Sequence, residues 1–344
     1  PFILEGVSYS ASGAVGNLKV TFEFSYNDDY HAAAYSKDDL ESVLLKRFTD
    51  RIPNINIVYK DNIKTSEIDE ILNSIMKVDT YLASSINNIS YEFLSSLGVS
   101  GIKLTVSYYT TKEQEEYVDK TVNFIVSKLV NDDMSDHEKE KLIHDYILNF
   151  VDYADSDEYN DPYSALYYGK SKCNGYAMLT YKMLTAAGIE NVIATNEDHA
   201  WNIVKIEGNW YHLDTTWDDG KEKGYGFYGY YNLTDEQLIL GPEGLDGRNY
   251  YGMDGISCTT NYIEALKAAN EENDGKYEHI LKDLEKNKNY VEINDFKIYP
   301  SMNLMYNEVL LKEGEKVGLV DPIIPVKVYK DSIYWSTSDE NVVK

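Results

Sequence analysis

Apolar and polar residues alternate in several stretches of the first 110 residues, and between these stretches apolar residues recur every three or four positions. The alternation predicts half-buried strands at 18–26, 54–59 and 101–109. The helical period predicts helices at 38–49 and from Ile68 to Met76. We therefore expect a mixed α/β N-terminal domain over residues 1–110, to which no motif assigns a role.

The middle of the chain shows helical periodicity first and strand alternation afterwards. Helices are predicted at 111–130, 135–150 and 173–187, and Ser135 with Glu138 provides a capping box for the second. Short strands are predicted at 190–195, 199–206 and 210–215, followed by a loop rich in Gly, Tyr and Asp at 216–232. This order predicts an α+β domain over residues 111–260.

The last part of the chain changes character twice. Residues 261–290 are charged with helical spacing of apolar positions, which predicts either a helical spacer or a packed helical hairpin. Residues 291–344 contain several short strand patterns and end in YWSTSDENVVK, which resembles the W-S-S-x-x-x-x-V signature of bacterial immunoglobulin-like repeats. That resemblance implies a partial C-terminal β-sandwich and a cell-surface protein.

Charge narrows the range of partners. The formal net charge of the 344 residues is −26, which disfavours binding to nucleic acids and to anionic membranes. The acidity either serves solubility or attracts a cationic substrate. No stretch approaches the roughly 18–20 apolar residues that cross a membrane. The sequence starts at Pro1 without a Met, and we expect a secreted, cell-surface or cell-wall protein whose signal peptide is not included.

The chain has two cysteines, Cys173 and Cys258, so a disulfide scaffold is excluded. Cys173 stands at the predicted start of a helix, where unpaired N–H groups and the helix dipole favour a thiolate. Lys172 beside it is expected to act in the same direction. Cys258 is expected to be a buried thiol that forms no disulfide with Cys173.

A histidine and an aspartate are placed on one face by a predicted hairpin. His199 begins the strand HAWNIVKI, Glu207–Gly208 can form a two-residue turn, and the return strand ends in Asp214. If Ile206 pairs with Asn209, His199 and Asp214 are diagonal neighbours on the same face. Asp214 can then orient His199 as a base toward the thiol of Cys173.

Three segments resemble the core motifs of the transglutaminase-like superfamily: C-N-G-Y-A at 173–177, H-A-W-N at 199–202 and W-Y-H-L-D-T-T-W-D at 210–218. The resemblance covers about residues 110–235 and departs from the common pattern at Ser171–Lys172, where a Gly-Val pair is frequent. It implies a papain-like architecture, in which the helix that carries the cysteine packs on an antiparallel sheet that carries the histidine and aspartate.

The resemblance also implies a thioester mechanism on a protein or peptide substrate, which could be associated with the cell wall. Cys173 would attack an amide carbonyl, His199 would transfer the proton, and an amine or water would release the acyl group. The backbone N–H of Cys173 would help to hold the oxyanion. Candidates for further substrate contact are Tyr167 and Tyr168, which are otherwise packing aromatics, and Trp201 and Trp217, which either pack or wall the groove. No cofactor is expected.

Two alternatives are weighed against this enzyme. Zinc bound by Cys173, His199 and His212 is disfavoured, because the chain has no C-x-x-C or H-E-x-x-H spacing. No metal site is predicted, since the acidic stretch 152–161 also does not match an EF-hand loop. The second alternative is a non-catalytic cell-surface binding or adhesion module that keeps the fold, and in such a module Cys173 would be inert.

Overall fold

The computed structural model describes residues 3–14, 17–27, 32–96, 98–219, 225–226, 228–241, 247–286 and 291–292. The chain divides into two compact units, Pro1–Lys112 and Glu113–Lys344. The predicted immunoglobulin-like segment lies outside the described residues, apart from the two residues at 291–292.

The first unit is a mixed α/β unit in its described residues. Its elements in chain order are β1 (Ile3–Ala14), β2 (Asn17–Asn27), β3 (Ala32–Ala34), α1 (Lys37–Thr49), β4 (Asn54–Tyr59), α2 (Thr65–Val78), α3 (Thr80–Ser85), β5 (Ile86–Ser96) and β6 (Val99–Tyr108). β1 and β2 form an antiparallel pair, and a second sheet has the strand order β3-β4-β6-β5. In that sheet β3 is parallel to β4, and the other pairs are antiparallel.

One apolar core joins the helices of this unit to the four-stranded sheet. The buried face of α1 carries Leu40, Leu44 and Phe48, and α2 buries Ile68 and Ile71 at the spacing the sequence predicts. Ser36 caps α1 by accepting a hydrogen bond from the Asp39 N–H at 3.1 Å. The apolar periodicity of this region is thus confirmed as helices over a sheet.

The second unit holds the predicted motifs. Its elements are α4 (Lys112–Leu129), which begins at the boundary, α5 (Asp136–Phe150), β7 (Asp152–Tyr153), α6 (Pro162–Tyr167), β8 (Lys170–Ser171), α7 (Cys173–Ala186), β9 (Asn191–Thr195), β10 (Ala200–Ile206), β11 (Asn209–Leu213), β12 (Tyr225–Gly226), α8 (Asp235–Leu240), α9 (Tyr262–Glu272), α10 (Glu278–Lys286) and β13 (Val291–Glu292). The capping box of Ser135 and Glu138 at the start of α5 is confirmed.

A three-stranded antiparallel sheet with the order β11-β10-β9 lies at the centre of this unit. The hairpin between β10 and β11 has the predicted register, because Ile206 pairs with Asn209. Glu207 and Gly208 both have positive φ, 47° and 83°, as a two-residue turn of this kind requires. This register places His199, before the start of β10, and Asp214, after the end of β11, at the same end of the hairpin.

Helix α7 packs on one face of this sheet. The side chain of Asn202 on β10 donates to the Ala177 carbonyl on α7 at 3.0 Å, and the buried residues of α7, β10 and β11 share one apolar core. Tyr262 and Leu266 of α9 and Ile280 of α10 belong to the same core. Of the two alternatives for 261–290, a spacer or a packed helical hairpin, the structure therefore agrees with the hairpin, because these helices bury an apolar face in the second unit.

Candidate active site

Cys173 is the first residue of α7 and is partly buried. The first turn of the helix lies close to the segment before it, because a Cβ on Gly175 would come within 2.6 Å of the Asp161 carbonyl oxygen. A glycine at this position is what lets the chain bring Cys173 so near to α6 and β8. The helix N-terminus places unpaired N–H groups and positive potential beside the sulfur.

His199 lies directly before β10, and its orientation is fixed on several sides. Its backbone N–H donates to Asn196 Oδ1 at 2.9 Å, and its Nε2 lies 2.7 Å from Asp214 Oδ2. The imidazole also forms a hydrogen bond with the thiol of Cys173. Since Nε2 is engaged by Asp214, Nδ1 is the ring nitrogen left for the sulfur.

Asp214 follows β11 and is 1% exposed. While Oδ2 binds His199, Oδ1 accepts the backbone N–H groups of Thr216 at 3.1 Å and Trp217 at 3.0 Å. Both carboxylate oxygens therefore accept hydrogen bonds, which is the arrangement of an ionised carboxylate that holds an imidazole by its N–H.

Electrostatics favour a thiolate–imidazolium pair. Burial raises the pKa of Cys173, but the hydrogen bond and charge of His199 and the Ala200 N–H outweigh it and lower the pKa below its ordinary value. Burial lowers the pKa of His199, but the charge and hydrogen bond of Asp214, together with Cys173, raise it to about 10. The three residues the sequence singled out are thus brought together in the geometry of a cysteine nucleophile and its base.

The expected help from Lys172 is largely neutralised in the structure. Its ammonium group lies 2.7 Å from a carboxylate oxygen of Asp157 and 3.4 Å from one of Asp155. The acidic stretch that follows β7 therefore pairs with this lysine, and the acidity of Cys173 depends on His199 instead.

Only some of the four aromatic side chains predicted to contact substrate are placed to do so. Trp217 is 42% exposed, and its ring lies edge-on to His199 with centroids 6.0 Å apart. Trp201 is 1% exposed, so the prediction that it walls the substrate groove is wrong: β10 points its indole into a buried cluster. Tyr167 packs against the core and stacks on Tyr163, while Tyr168 is 46% exposed.

Two functional candidates, Tyr153 and Asp218, were missed by the sequence analysis. Tyr153 on β7 pairs with Ser171 and is 51% exposed, and burial followed by the charge of Cys173 raises its pKa. Asp218 lies in the D-T-T-W-D segment, and its backbone N–H donates to the Asp214 carbonyl at 3.1 Å. The sequence signal for Asp218 was its place in that segment, whereas Tyr153 lies 20 positions before Cys173, in an acidic, tyrosine-rich stretch that carries no motif.

A buried ionic network lies behind Asp214. His144 of α5 places Nε2 3.1 Å from Asp218 Oδ2 and Nδ1 3.0 Å from Asp145 Oδ1. Both ring nitrogens face carboxylates, which only accept hydrogen bonds, so the ring is an imidazolium. Burial lowers the pKa of His144, but the two aspartates outweigh burial and raise the pKa to about 9. Asp218 in turn accepts the Tyr230 N–H at 2.7 Å, which fixes the chain that returns past Asp214.

The zinc alternative does not fit the position of His212. Its Nδ1 accepts the indole N–H of Trp201 at 3.0 Å, and its Nε2 lies 2.8 Å from Asp235 Oδ1. Both ring nitrogens are therefore occupied by partners other than Cys173 and His199, which the alternative required it to join.

Residues 123–215 match the model of the transglutaminase-like superfamily, and this range contains all three residues of the candidate triad. Residues 123–215 of the second unit thus match a transglutaminase-like core, and the mixed α/β fold around them is consistent with that match.

The chain is similar to two kyphoscoliosis peptidases. It is 27% identical to that of Mus musculus over 157 residues, covering 38% of this chain and 24% of the mouse protein. It is 26% identical to that of Homo sapiens over 154 residues, covering 37% and 23% of the two chains. The chain thus spans about a quarter of the length of these curated relatives.

A solved structure of a TGase matches 76% of this chain and 78% of its own, at 15% identity and a TM-score of 0.27. Within the part of the chain that the structure describes, no helix is both long and apolar enough to cross a membrane.

Proposed function

We propose that Cys173, His199 and Asp214 form a catalytic triad that transfers acyl groups through a thioester on Cys173. The observation that carries this proposal is the chain of contacts from the buried Asp214 carboxylate, 2.7 Å from His199 Nε2, through the imidazole to the thiol at the helix start. Papain-like and transglutaminase-like chemistry needs this polarity: a carboxylate orients the imidazole, and the imidazolium stabilises the thiolate.

The reaction begins with attack of the Cys173 sulfur on an amide carbonyl carbon of a protein or peptide. The carbonyl oxygen becomes an oxyanion, toward which the N–H groups of the first turn of α7 are directed. Collapse breaks the C–N bond while His199 gives its proton to the leaving amine, and a thioester remains. An amine or water then attacks the thioester, with His199 taking up the proton of the attacking group.

The exposed aromatic residues at this site support a polypeptide substrate. Tyr153 and Trp217 are both about half exposed. Tyr153 is near enough to Cys173 for the thiol's charge to help burial raise the tyrosine pKa, and the Trp217 ring lies 6.0 Å from that of His199, so both can contact residues that flank the reacting amide. We further propose that the substrate is an extracellular or cell-wall protein or peptide; the support is the resemblance of YWSTSDENVVK at 334–344 to bacterial immunoglobulin-like repeats.

The test measures both fates of the acyl group in parallel. Dimethylated casein is incubated with the protein and dansylcadaverine, and amine incorporation and peptide release are followed together, with Cys173→Ala as the matched control. We expect one of the two signals in the wild type and neither in the control. Equal signals in both proteins would contradict a role for the thiol, and the dominant signal assigns the reaction to cross-linking or to hydrolysis.

A further inference from the structure

A series of linked hydrogen bonds runs away from His199 on the face of β10 and β11 that is turned away from α7. The indole N–H of Trp201 donates to His212 Nδ1 at 3.0 Å, and His212 Nε2 lies 2.8 Å from Asp235 Oδ1. The other carboxylate oxygen of Asp235 accepts the backbone N–H of Cys258 at 3.2 Å. Trp201 and His212 are essentially inaccessible to solvent, so no water competes for the bond between them, while the Asp235 side chain at the end of the series is 30% exposed.

The protonation state of His212 follows from its partners. An indole nitrogen can only donate, so Nδ1 of His212 carries no proton and Nε2 carries the single proton of a neutral ring. That proton points at Asp235. Burial lowers the pKa of His212 below its ordinary value in spite of Asp235, which agrees with a neutral ring.

The same side chains resemble a metal site only at first sight. Ligand atoms of His212, Asp235 and Cys258 all lie within 4.8 Å of one another. A metal ion on Nε2 would move the ring proton to Nδ1, where it would face the indole N–H of Trp201. Two donors would then oppose each other in a buried place, which is costly. In this arrangement the cluster is a hydrogen-bond chain.

At its other end, this hydrogen-bond series reaches His199, the candidate base, through the ring of Trp201. The indole of Trp201 lies nearly parallel to the imidazole of His199, with an interplanar angle of 14° and centroids 5.9 Å apart. Trp217 borders the same imidazole edge-on, at 82°. His199 must keep Nε2 on Asp214 while its other nitrogen faces Cys173, and rotation of the ring would break both contacts. The indole plane is one of the surfaces that resist this rotation.

We propose that Asp235 and His212 are positioning residues: through the indole N–H of Trp201 they hold the imidazole of His199 in line with Cys173 and Asp214. Asp235 selects the His212 tautomer, the tautomer accepts the indole N–H, and the anchored indole restricts His199. This inference rests on the proposed function, because it assigns a role within the same triad.

Three single substitutions and one double substitution test whether Asp235, His212 and Trp201 position His199. His212→Phe keeps a ring but removes both hydrogen bonds, and Trp201→Phe keeps an aromatic plane beside His199 but removes the anchored N–H. Asp235→Asn leaves only one acceptor for the two N–H groups that Asp235 now binds. The readouts are kcat and KM in the casein assay, and the pH dependence of Cys173 alkylation by iodoacetamide.

We expect each single variant to lower kcat between about 10- and 100-fold with little change in KM, because misplacement of a catalytic group costs this much. The acid limb of the alkylation profile should move to higher pH, since a displaced imidazolium stabilises the thiolate less. His212→Phe combined with Trp201→Phe should be no worse than either alone, because both remove the same hydrogen bond.

His137→Gln is the matched control, because His137 is also a buried histidine, bonded to the Tyr262 hydroxyl at 3.1 Å. It should leave kcat and the alkylation profile unchanged, whatever it does to the melting temperature. If His212→Phe and Asp235→Asn lower the melting temperature but keep the wild-type profile, or if the double variant is additive, the positioning role is overturned. A wild-type Cys173 no faster than Cys258 would instead contradict the proposed function, and this inference with it.

Discussion

Replacing Asp214 by asparagine should change the tautomer of His199, moving the ring proton from Nε2 to Nδ1, while leaving the shape of the site intact. Oδ1 of Asp214 accepts two backbone N–H groups, from Thr216 and Trp217, and Oδ2 accepts His199. The single oxygen of an asparagine is best placed at the first position, where two donors converge. Its NH2 group then faces His199 Nε2 and donates to it.

The consequence is a change of tautomer. An Nε2 that accepts a hydrogen bond carries no proton, so the proton of the neutral ring sits on Nδ1 and faces Cys173. That nitrogen can no longer take the thiol proton. The same substitution in a serine protease triad lowers kcat by about 10⁴-fold, and we expect a loss of that order, about 5 kcal/mol of activation free energy.

The assay is turnover of casein, in whichever of the two reactions the wild type performs, with melting temperature as a check on folding. Asp161→Asn is the control: the carboxylate of this buried aspartate accepts the Ser164 backbone N–H at 2.8 Å, the Ser164 hydroxyl at 2.8 Å and a backbone hydrogen bond from Tyr163, all at the start of α6. It should turn over casein at nearly the wild-type rate. A folded Asp214→Asn variant with more than about a tenth of wild-type turnover would refute the tautomer argument.

Four further outcomes follow from the same structure. Turnover should be bell-shaped in pH, with an alkaline limb near 10, where His199 loses its proton; a limb near pH 7 would contradict this assignment. The pKa of His144 is raised to about 9, so the stabilising effect of its imidazolium is complete below about pH 6.5 and is lost as pH rises through 9. His144→Gln should therefore flatten the decline of the unfolding free energy at alkaline pH. An unchanged decline would count against the imidazolium. Burial lowers the pKa of His137 to about 4, so stability falls as pH drops from about 6.5 toward 4, and urea titrations should show a smaller fall in His137→Gln. Gly175→Ala should cost about 1–3 kcal/mol of unfolding free energy, because the new Cβ meets the Asp161 carbonyl; a wild-type urea midpoint would contradict the close approach.

The triad could be predicted from the sequence because short segments of the chain determine where its residues lie. The turn at Glu207–Gly208 sets the register of β10 and β11, and the register alone brings His199 beside Asp214. The helix that begins at Cys173 was likewise visible from its apolar period and its end at Gly188, whose φ is 83°. Short-range patterns decide such features.

Features that depend on distant parts of the chain were not predictable in this way. His144 and Asp218 meet across 74 positions, and neither has a local pattern that names its partner. The alternation of β10 could not tell which face of the strand is covered, so the sequence left Trp201 either packed or in a groove, and the structure shows it buried by α8 and the segment around Cys258. The strand Ile86–Ser96 was missed because its Asn and Ser residues have weak strand propensity and its pairing is interrupted by a bulge near Ile86.

The most direct test of the thiolate–imidazolium pair is the pH dependence of iodoacetamide alkylation at Cys173 and Cys258, read by mass spectrometry. Cys258 is a matched internal reference, because it is 1% exposed and burial raises its pKa above the ordinary thiol value. We predict that Cys173 reacts far faster than Cys258 near about pH 6–7, and that this advantage disappears in His199→Ala. Slow and similar reaction of both cysteines in the wild type would contradict the ion pair and the catalytic role built on it.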